Sequence, residues 1–234
     1  MITRFSLQLV VFSLFWLRLA QSLAVELEVD EPKIRCIESE KQALLNIKEN
    51  LQNTGDTDFL SSWGNETEKR ECCKWLGIRC ASGSSGHVIM LDLSPSTLGI
   101  STDNIWWSRP FAGKIDPSLF ELRYLTYLDL SFINFNRSHI PSSIESFSKM
   151  TVLTYLDLSF NSLRGSIPEC FGNMTTLAHL SLASNKLEGS IPNALGNNFG
   201  LSYLDLRGNN IEGSIPEAFG NMTSLSFLNL ELNL

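Results

Sequence analysis

Leu153-Thr-Tyr-Leu-Asp-Leu-Ser-Phe-Asn161 is followed 24 residues on by Leu177-Ala-His-Leu-Ser-Leu-Ala-Ser-Asn185, then by Leu201-Ser-Tyr-Leu-Asp-Leu-Arg-Gly-Asn209 and Leu225-Ser-Phe-Leu-Asn-Leu-Glu-Leu-Asn233. The shared pattern is LxxLxLxxN, and three copies run on into Gly-Ser-Ile-Pro at Gly165–Pro168, Gly189–Pro192 and Gly213–Pro216. Self-similarity at a fixed period of this length marks an array of stacked supersecondary units. Within each copy, leucine alternates with polar residues, as in a short strand with one buried face. One unit cannot bury such a face alone, so the copies stack. Asn161, Asn185, Asn209 and Asn233 stand where each strand ends. They are expected to turn inward as a ladder, their amides satisfying backbone groups that have lost sheet partners. Gly and Pro punctuate the return across the convex side.

Two earlier copies are less regular. Leu125-Thr-Tyr-Leu-Asp-Leu-Ser-Phe-Ile133 starts 28 residues before its successor, and Ile133 occupies the ladder position. The ladder is interrupted there unless Asn134 substitutes. The first copy begins near Val88 with Leu91-Asp-Leu93, carries an insertion over Pro95–Ala112 and resumes at Gly113-Lys-Ile115. The expected fold is an α/β solenoid, a right-handed superhelix with a concave parallel β-sheet and short helical turns behind it. Residues 87–234 hold about six repeats, the last incomplete.

Met1-Ile-Thr-Arg4 precedes an apolar run from Phe5 to Leu17, then Ser22-Leu-Ala24. This reads as a signal peptide over residues 1–24. The run is shorter than the ~20 residues of a bilayer span, and no later stretch is long and apolar enough to span. Cleavage would remove Arg4 and Arg18 and no acid, moving the formal charge from −7 to −9. A nucleic-acid partner, which needs a basic face, is not expected.

Cys36, Cys72, Cys73 and Cys80 cluster ahead of the repeats. In a secreted chain they read as disulfides, with a zinc site as the alternative. A bond between neighbours Cys72 and Cys73 is strained. Cys36–Cys72 with Cys73–Cys80 is favoured; Cys36–Cys73 with Cys72–Cys80 stays open. Residues 38–54 read as a helix, with Ser39 and Gln42 as a capping box and Gly55 at the stop. Ala43, Leu44, Ile47 and Leu51 would share its buried face. This helical unit, residues 25–86, would cap the open end of the stack.

Here the chain resembles a known family. Glu40-Lys-Gln-Ala-Leu-Leu45, Leu60-Ser-Ser-Trp63, Cys72-Cys-Lys-Trp-Leu-Gly-Ile-Arg-Cys80 and Gly86-His-Val-Ile-Met-Leu-Asp-Leu93 look like the plant-type N-terminal cap and first leucine-rich repeat. With the Gly-Ser-Ile-Pro copies, the match is to plant leucine-rich-repeat receptor-like proteins of the elicitor-receptor and disease-resistance group. The resemblance implies an extracellular module that recognises a peptide, protein or wall-derived ligand, together with a co-receptor or a longer receptor. It implies plant defence perception, no cofactor and no enzymatic activity. Family members usually continue through further repeats and a C-terminal cap to a membrane helix; this sequence stops at Leu234, inside a repeat. Alternatives are a secreted inhibitor of a wall-degrading enzyme, similar to the polygalacturonase inhibitors, a soluble decoy, or a truncated non-signalling product.

Candidate ligand contacts lie between the strand leucines, where side chains should face solvent. One column is Tyr127, Tyr155, His179, Tyr203 and Phe227; the next includes Asp129, Asp157 and Asp205; a third is Ser131, Ser159, Ala183, Arg207 and Glu231. Arg207 and His179 break the pattern and are the better specificity candidates. Trp106 and Trp107 sit in the first-repeat insertion, either as a recognition pair or as loop packing. Asn65, Asn136, Asn173 and Asn221 are N-glycosylation sequons. Cys170 aligns with Ala194 and Ala218 and is expected to be a free, unreactive thiol. His87, His139 and His179 fall in different repeats, and no nucleophile elbow, phosphate loop or zinc-protease motif is present.

Overall fold

The computed structural model describes residues 35–83, 85–101, 109–142 and 146–234. The signal-peptide segment and the Trp106–Trp107 pair lie outside the described residues.

Helix α1 (Glu38–Asn50) opens the cap. Its buried residues include Ala43, Leu44 and Ile47, the apolar face read from the sequence. The helix ends four residues earlier than expected. Leu51–Asn53 instead form strand β1, antiparallel to β4 (Phe111–Gly113), with Leu51 opposite Gly113. Leu51 is buried as anticipated, but in a sheet pair that local spacing does not reveal. The capping box also fails. Ile37 is the N-cap, extended at φ −72° and without a side-chain cap bond, and Gln42 Nε2 donates to Asn46 Oδ1 at 3.0 Å. Cys36, adjoining the N-cap, pairs with Cys72 at a Cα–Cα distance of 5.5 Å, and its amide donates to Glu71 Oε1 at 2.7 Å. These long-range ties set the helix start. Cys73 pairs with Cys80 at 5.4 Å.

Seven strands form the concave sheet in the order β12-β10-β8-β6-β5-β3-β2. They are β2 (Ile78–Cys80), β3 (Val88–Asp92), β5 (Tyr127–Asp129), β6 (Tyr155–Asp157), β8 (His179–Ser181), β10 (Tyr203–Asp205) and β12 (Phe227–Asn229). The cap strand β2 runs antiparallel to β3, and every later pair is parallel. The sequence repeat keeps the strands in register: Leu128, Leu156, Leu180, Leu204 and Leu228 are successive partners. Leu153, Leu156, Leu158 and Leu163 are fully buried and build the inner layer. Short 3₁₀ turns return the chain on the convex side at Pro117–Glu121, Phe147–Lys149, Glu169–Asn173, Asn193–Asn197 and Glu217–Asn221. Gly165, Gly189 and Gly213 enter these returns at φ +83°, +80° and +88°, a region that disfavours a Cβ.

The ladder forms inside the stack. Asn161, 0% exposed, accepts from Ile133 N at 2.6 Å and donates to Leu130 O at 2.7 Å. Asn185 accepts from Leu163 N at 2.9 Å and donates to Leu158 O at 2.8 Å. Asn209 and Asn233 repeat the pattern through Leu187 N and Ile211 N. Asn134 does not replace the missing rung: its Oδ1 accepts from Asn136 N at 3.1 Å while Ile133 is fully buried. The β-branched side chain fills the slot but has no amide. The insertion in the first repeat is also shorter than read, because Phe111 and Ala112 already belong to β4.

Candidate functional site

The first concave column is a continuous ring stack. Tyr127–Tyr155, Tyr155–His179, His179–Tyr203 and Tyr203–Phe227 have centroid separations of 4.2, 4.1, 4.1 and 4.2 Å. The interplanar angles are 8°, 13°, 8° and 2°. In-register parallel strands, ~4.8 Å apart, bring equivalent rings to stacking distance. Neighbouring rings cover one another's faces, so the sheet offers a ligand ring edges, phenol hydroxyls and one imidazole. Burial, then the charges of Asp129 and Asp92, pushes the Tyr127 phenol up to about 12. Burial and Asp157 raise Tyr155 further still. Burial lowers His179 below the usual imidazole value, with Asp205 opposing, which favours the neutral ring.

The second column corrects the expectation of solvent-facing carboxylates. Asp129 and Asp205 are buried, the latter 2% exposed, and Asp157 is half-buried. Each closes a turn at its strand end: Oδ1 of Asp129, Asp157 and Asp205 accepts from the amide two residues on, at Ser131, Ser159 and Arg207. Asp92 does the same for Ser94. Short side-chain acceptors prefer such local backbone bonds, and this pulls the carboxylates off the open face. Burial, reinforced by Asp157, raises Asp129 to about 7. Asp157 is raised by burial against the pull of its Ser159 hydrogen bonds.

In the third column Ser131, Ser159 and Ala183 are buried as well. Arg207 and Glu231 face solvent, and the Arg207 side chain is 46% exposed while its Nε sits 3.3 Å from Asp205 Oδ2. The face therefore reduces to the ring edges with Arg207 and Glu231 beside them.

The other sequence candidates are dispersed. Asn65, Asn136, Asn173 and Asn221 are all exposed. Cys170 is unpaired and half-buried, and burial pushes its thiol up. His87 stacks on Tyr124 at 3.7 Å and bonds Glu40 Oε1 at 2.9 Å. Cys36, Cys72 and Cys73 lie within ligating reach of one another, but their sulfurs are held in disulfides and supply no thiolate. Two structural residues escaped the sequence reading. Asn198, fully buried, donates to Phe171 O and Met174 O as a second, convex-side rung. Glu40, buried in the cap, also accepts from Val88 N at 2.7 Å. Asn198 sits two residues beyond Gly196, and its neighbours at this offset, Met174 and Met222, carry no amide, so the repeat pattern gave no signal.

Cap, concave parallel sheet and asparagine ladder define a plant-type leucine-rich-repeat solenoid. Comparison with known proteins agrees. Residues 37–81 match the leucine rich repeat N-terminal domain, and residues 142–187 and 200–222 match leucine rich repeat models. Receptor-like protein EIX1 of Solanum lycopersicum is 42% identical over 118 residues, 50% of this chain and 11% of the relative. Receptor-like protein EIX2 of the same plant is 39% identical over 160 residues, 68% of this chain and 14% of the relative. Among solved structures, the BIR3–SERK2 complex of Arabidopsis thaliana aligns at TM-score 0.64 and 31% identity, covering 82% of this chain and 96% of that one. The Arabidopsis receptor kinase HAESA ectodomain, in complex with an extended IDA peptide hormone, aligns at 0.68 and 30%, covering 84% and 29%. A plant ice-binding protein aligns at 0.71 and 32%, covering 85% and 57%. The chain is similar to plant receptor-like proteins, and it spans 11% and 14% of the two tomato relatives. No helix among the described residues is long and apolar enough to cross a membrane.

Proposed function

We propose that this chain is an extracellular recognition module in plant defence perception, which holds a peptide or protein segment along its concave face. The ring stack from Tyr127 to Phe227 carries the reading. Its edges line up five polar or aromatic contacts on one stiff surface, and Arg207 supplies an exposed cation at one end. Aromatic and arginine side chains held rigidly in this way are good recognition chemistry. The peptide-bound HAESA ectodomain supports the ligand class by analogy. A co-receptor is a second expected partner, as in the HAESA assembly with IDA and SERK1. The module is exported to the wall space after loss of residues 1–24, with cap 25–86 and repeats from 87, and carries N-glycans at its four exposed sequons. It performs recognition and no catalysis.

The test uses peptide fractions of wall fluid from elicited leaves, passed over the immobilised full chain and over a Tyr203→Ala/Arg207→Glu variant. Peptides held by the unaltered chain and lost by the variant support the reading. Equal retention by both would sink it.

A further inference from the structure

Beyond the ladder lies a second face. Strands β7 (Arg164–Gly165), β9 (Lys186–Gly189) and β11 (Asn210–Ile211) pair as a parallel sheet. Arg164 is the partner of Lys186, and Glu188 of Asn210. The preceding turn places Arg137, at φ 60°, beside them, and a bridge between His139 and Arg164 ties that turn to β7. Arg137, Arg164, Lys186, Glu188 and Asn210, all exposed, line one open cleft of about 320 Å³. Among the described residues no carboxylate lies within ion-pair distance of the three cations; the ion pairs sit elsewhere. Three cations gathered in one cleft run against the chain's formal charge of −7.

We propose that this cleft binds an acidic oligosaccharide, a run of hydroxylated sugars carrying carboxylates. Adjacent strands are ~4.8 Å apart, so Arg164 and Lys186 meet successive anionic groups of an extended polymer. An arginine fork takes a carboxylate through two parallel N–H donors. Glu188 narrows the choice. Its carboxylate repels a purely anionic ligand but accepts from sugar hydroxyls, while the Asn210 amide both donates and accepts. The lining contains no apolar side chain, so it lacks the pockets that anchor peptide side chains. This site is independent of the concave face, and the two can be occupied together.

Binding of polygalacturonate, neutral dextran and poly-glutamate to the immobilised full chain tests it. Polygalacturonate is expected to bind, and to weaken about tenfold or more between about 0.05 M and about 0.5 M salt. Arg164→Glu with Lys186→Glu should lose about tenfold or more of that binding at an unchanged melting temperature, because both side chains are exposed. Arg70→Glu, a charge reversal in the cap, should bind like the unaltered chain. Dextran should not be retained, and poly-glutamate should bind about tenfold more weakly than polygalacturonate. Undiminished binding by the double variant would overturn the site. Poly-glutamate binding as well as polygalacturonate would overturn the sugar assignment in favour of an acidic peptide. Asn136→Gln, which removes a sequon next to Arg137, should keep or improve binding; loss there would move the contact to the glycan and also overturn the proposal.

Discussion

Asn185 Oδ1 lies 2.9 Å from the amide of Leu163, which it reaches from 22 residues further along the chain. The same oxygen accepts from Asn161 N at 3.2 Å, and its Nδ2 serves Leu158 O and Leu182 O. One side chain thus closes backbone groups in two neighbouring repeats. Asn185→Ala leaves several of them unpaired in the interior, at about 1–3 kcal/mol each before relaxation. We expect a loss of about 3 kcal/mol. Asn173→Ala, exposed on the convex return, should stay within about 0.5 kcal/mol. Thermal melts of both variants decide this, and equal midpoints would contradict it.

The buried Glu40 carboxylate joins helix α1 to the first repeat through His87 Nδ1 and Val88 N. Glu40→Ala should cost about 2–3 kcal/mol, because the Val88 amide is left buried without an acceptor. Glu40→Gln keeps an acceptor and should recover most of the loss. Denaturant unfolding of the two variants distinguishes a hydrogen-bond role from simple packing; similar losses would rule out the former.

Asp129 sets a pH dependence. Its folded pKa, about 7, is raised from 3.8 by burial and by Asp157. Between those values the folded state holds more protons than the unfolded one, so stability falls as pH rises through the window and levels off above it. Asp129→Asn keeps an Oδ1 acceptor for Ser131 N and removes the titration. The variant should match the unaltered chain near pH 4 and be more stable by about 1–3 kcal/mol at pH 8. A gap that does not grow with pH would refute the assignment.

The two disulfides differ in the chain they enclose, 36 residues for Cys36–Cys72 and 7 for Cys73–Cys80. Loop-closure entropy makes the longer bridge worth about 1–1.5 kcal/mol more. Cys36→Ser/Cys72→Ser should therefore melt lower than Cys73→Ser/Cys80→Ser, and should also free the start of α1. Hydrogen exchange over Glu38–Leu45 reads the second effect.

The sequence by itself determined the period, the buried leucines and the ladder at Asn161, Asn185, Asn209 and Asn233. A 24-residue repeat assigns every residue a fixed place in its own turn of the solenoid. It placed Tyr127, Tyr155, His179, Tyr203 and Phe227 in one column but could not show that their faces are spent on each other. Only the tertiary structure decided that Asp129 and Asp205 are buried turn acceptors, since a strand's alternation says which side a residue takes and not what covers it. Only it turned Leu51–Asn53 from helix into strand, because the partner, Phe111–Gly113, lies about sixty residues away. Arg137, Arg164 and Lys186 occupy different positions in their repeats, and the pairing of β7 with β9 together with the His139–Arg164 bridge brings them to one cleft. Periodicity encodes what each repeat does identically; what differs between repeats acquires meaning only when the stack sets one beside the next.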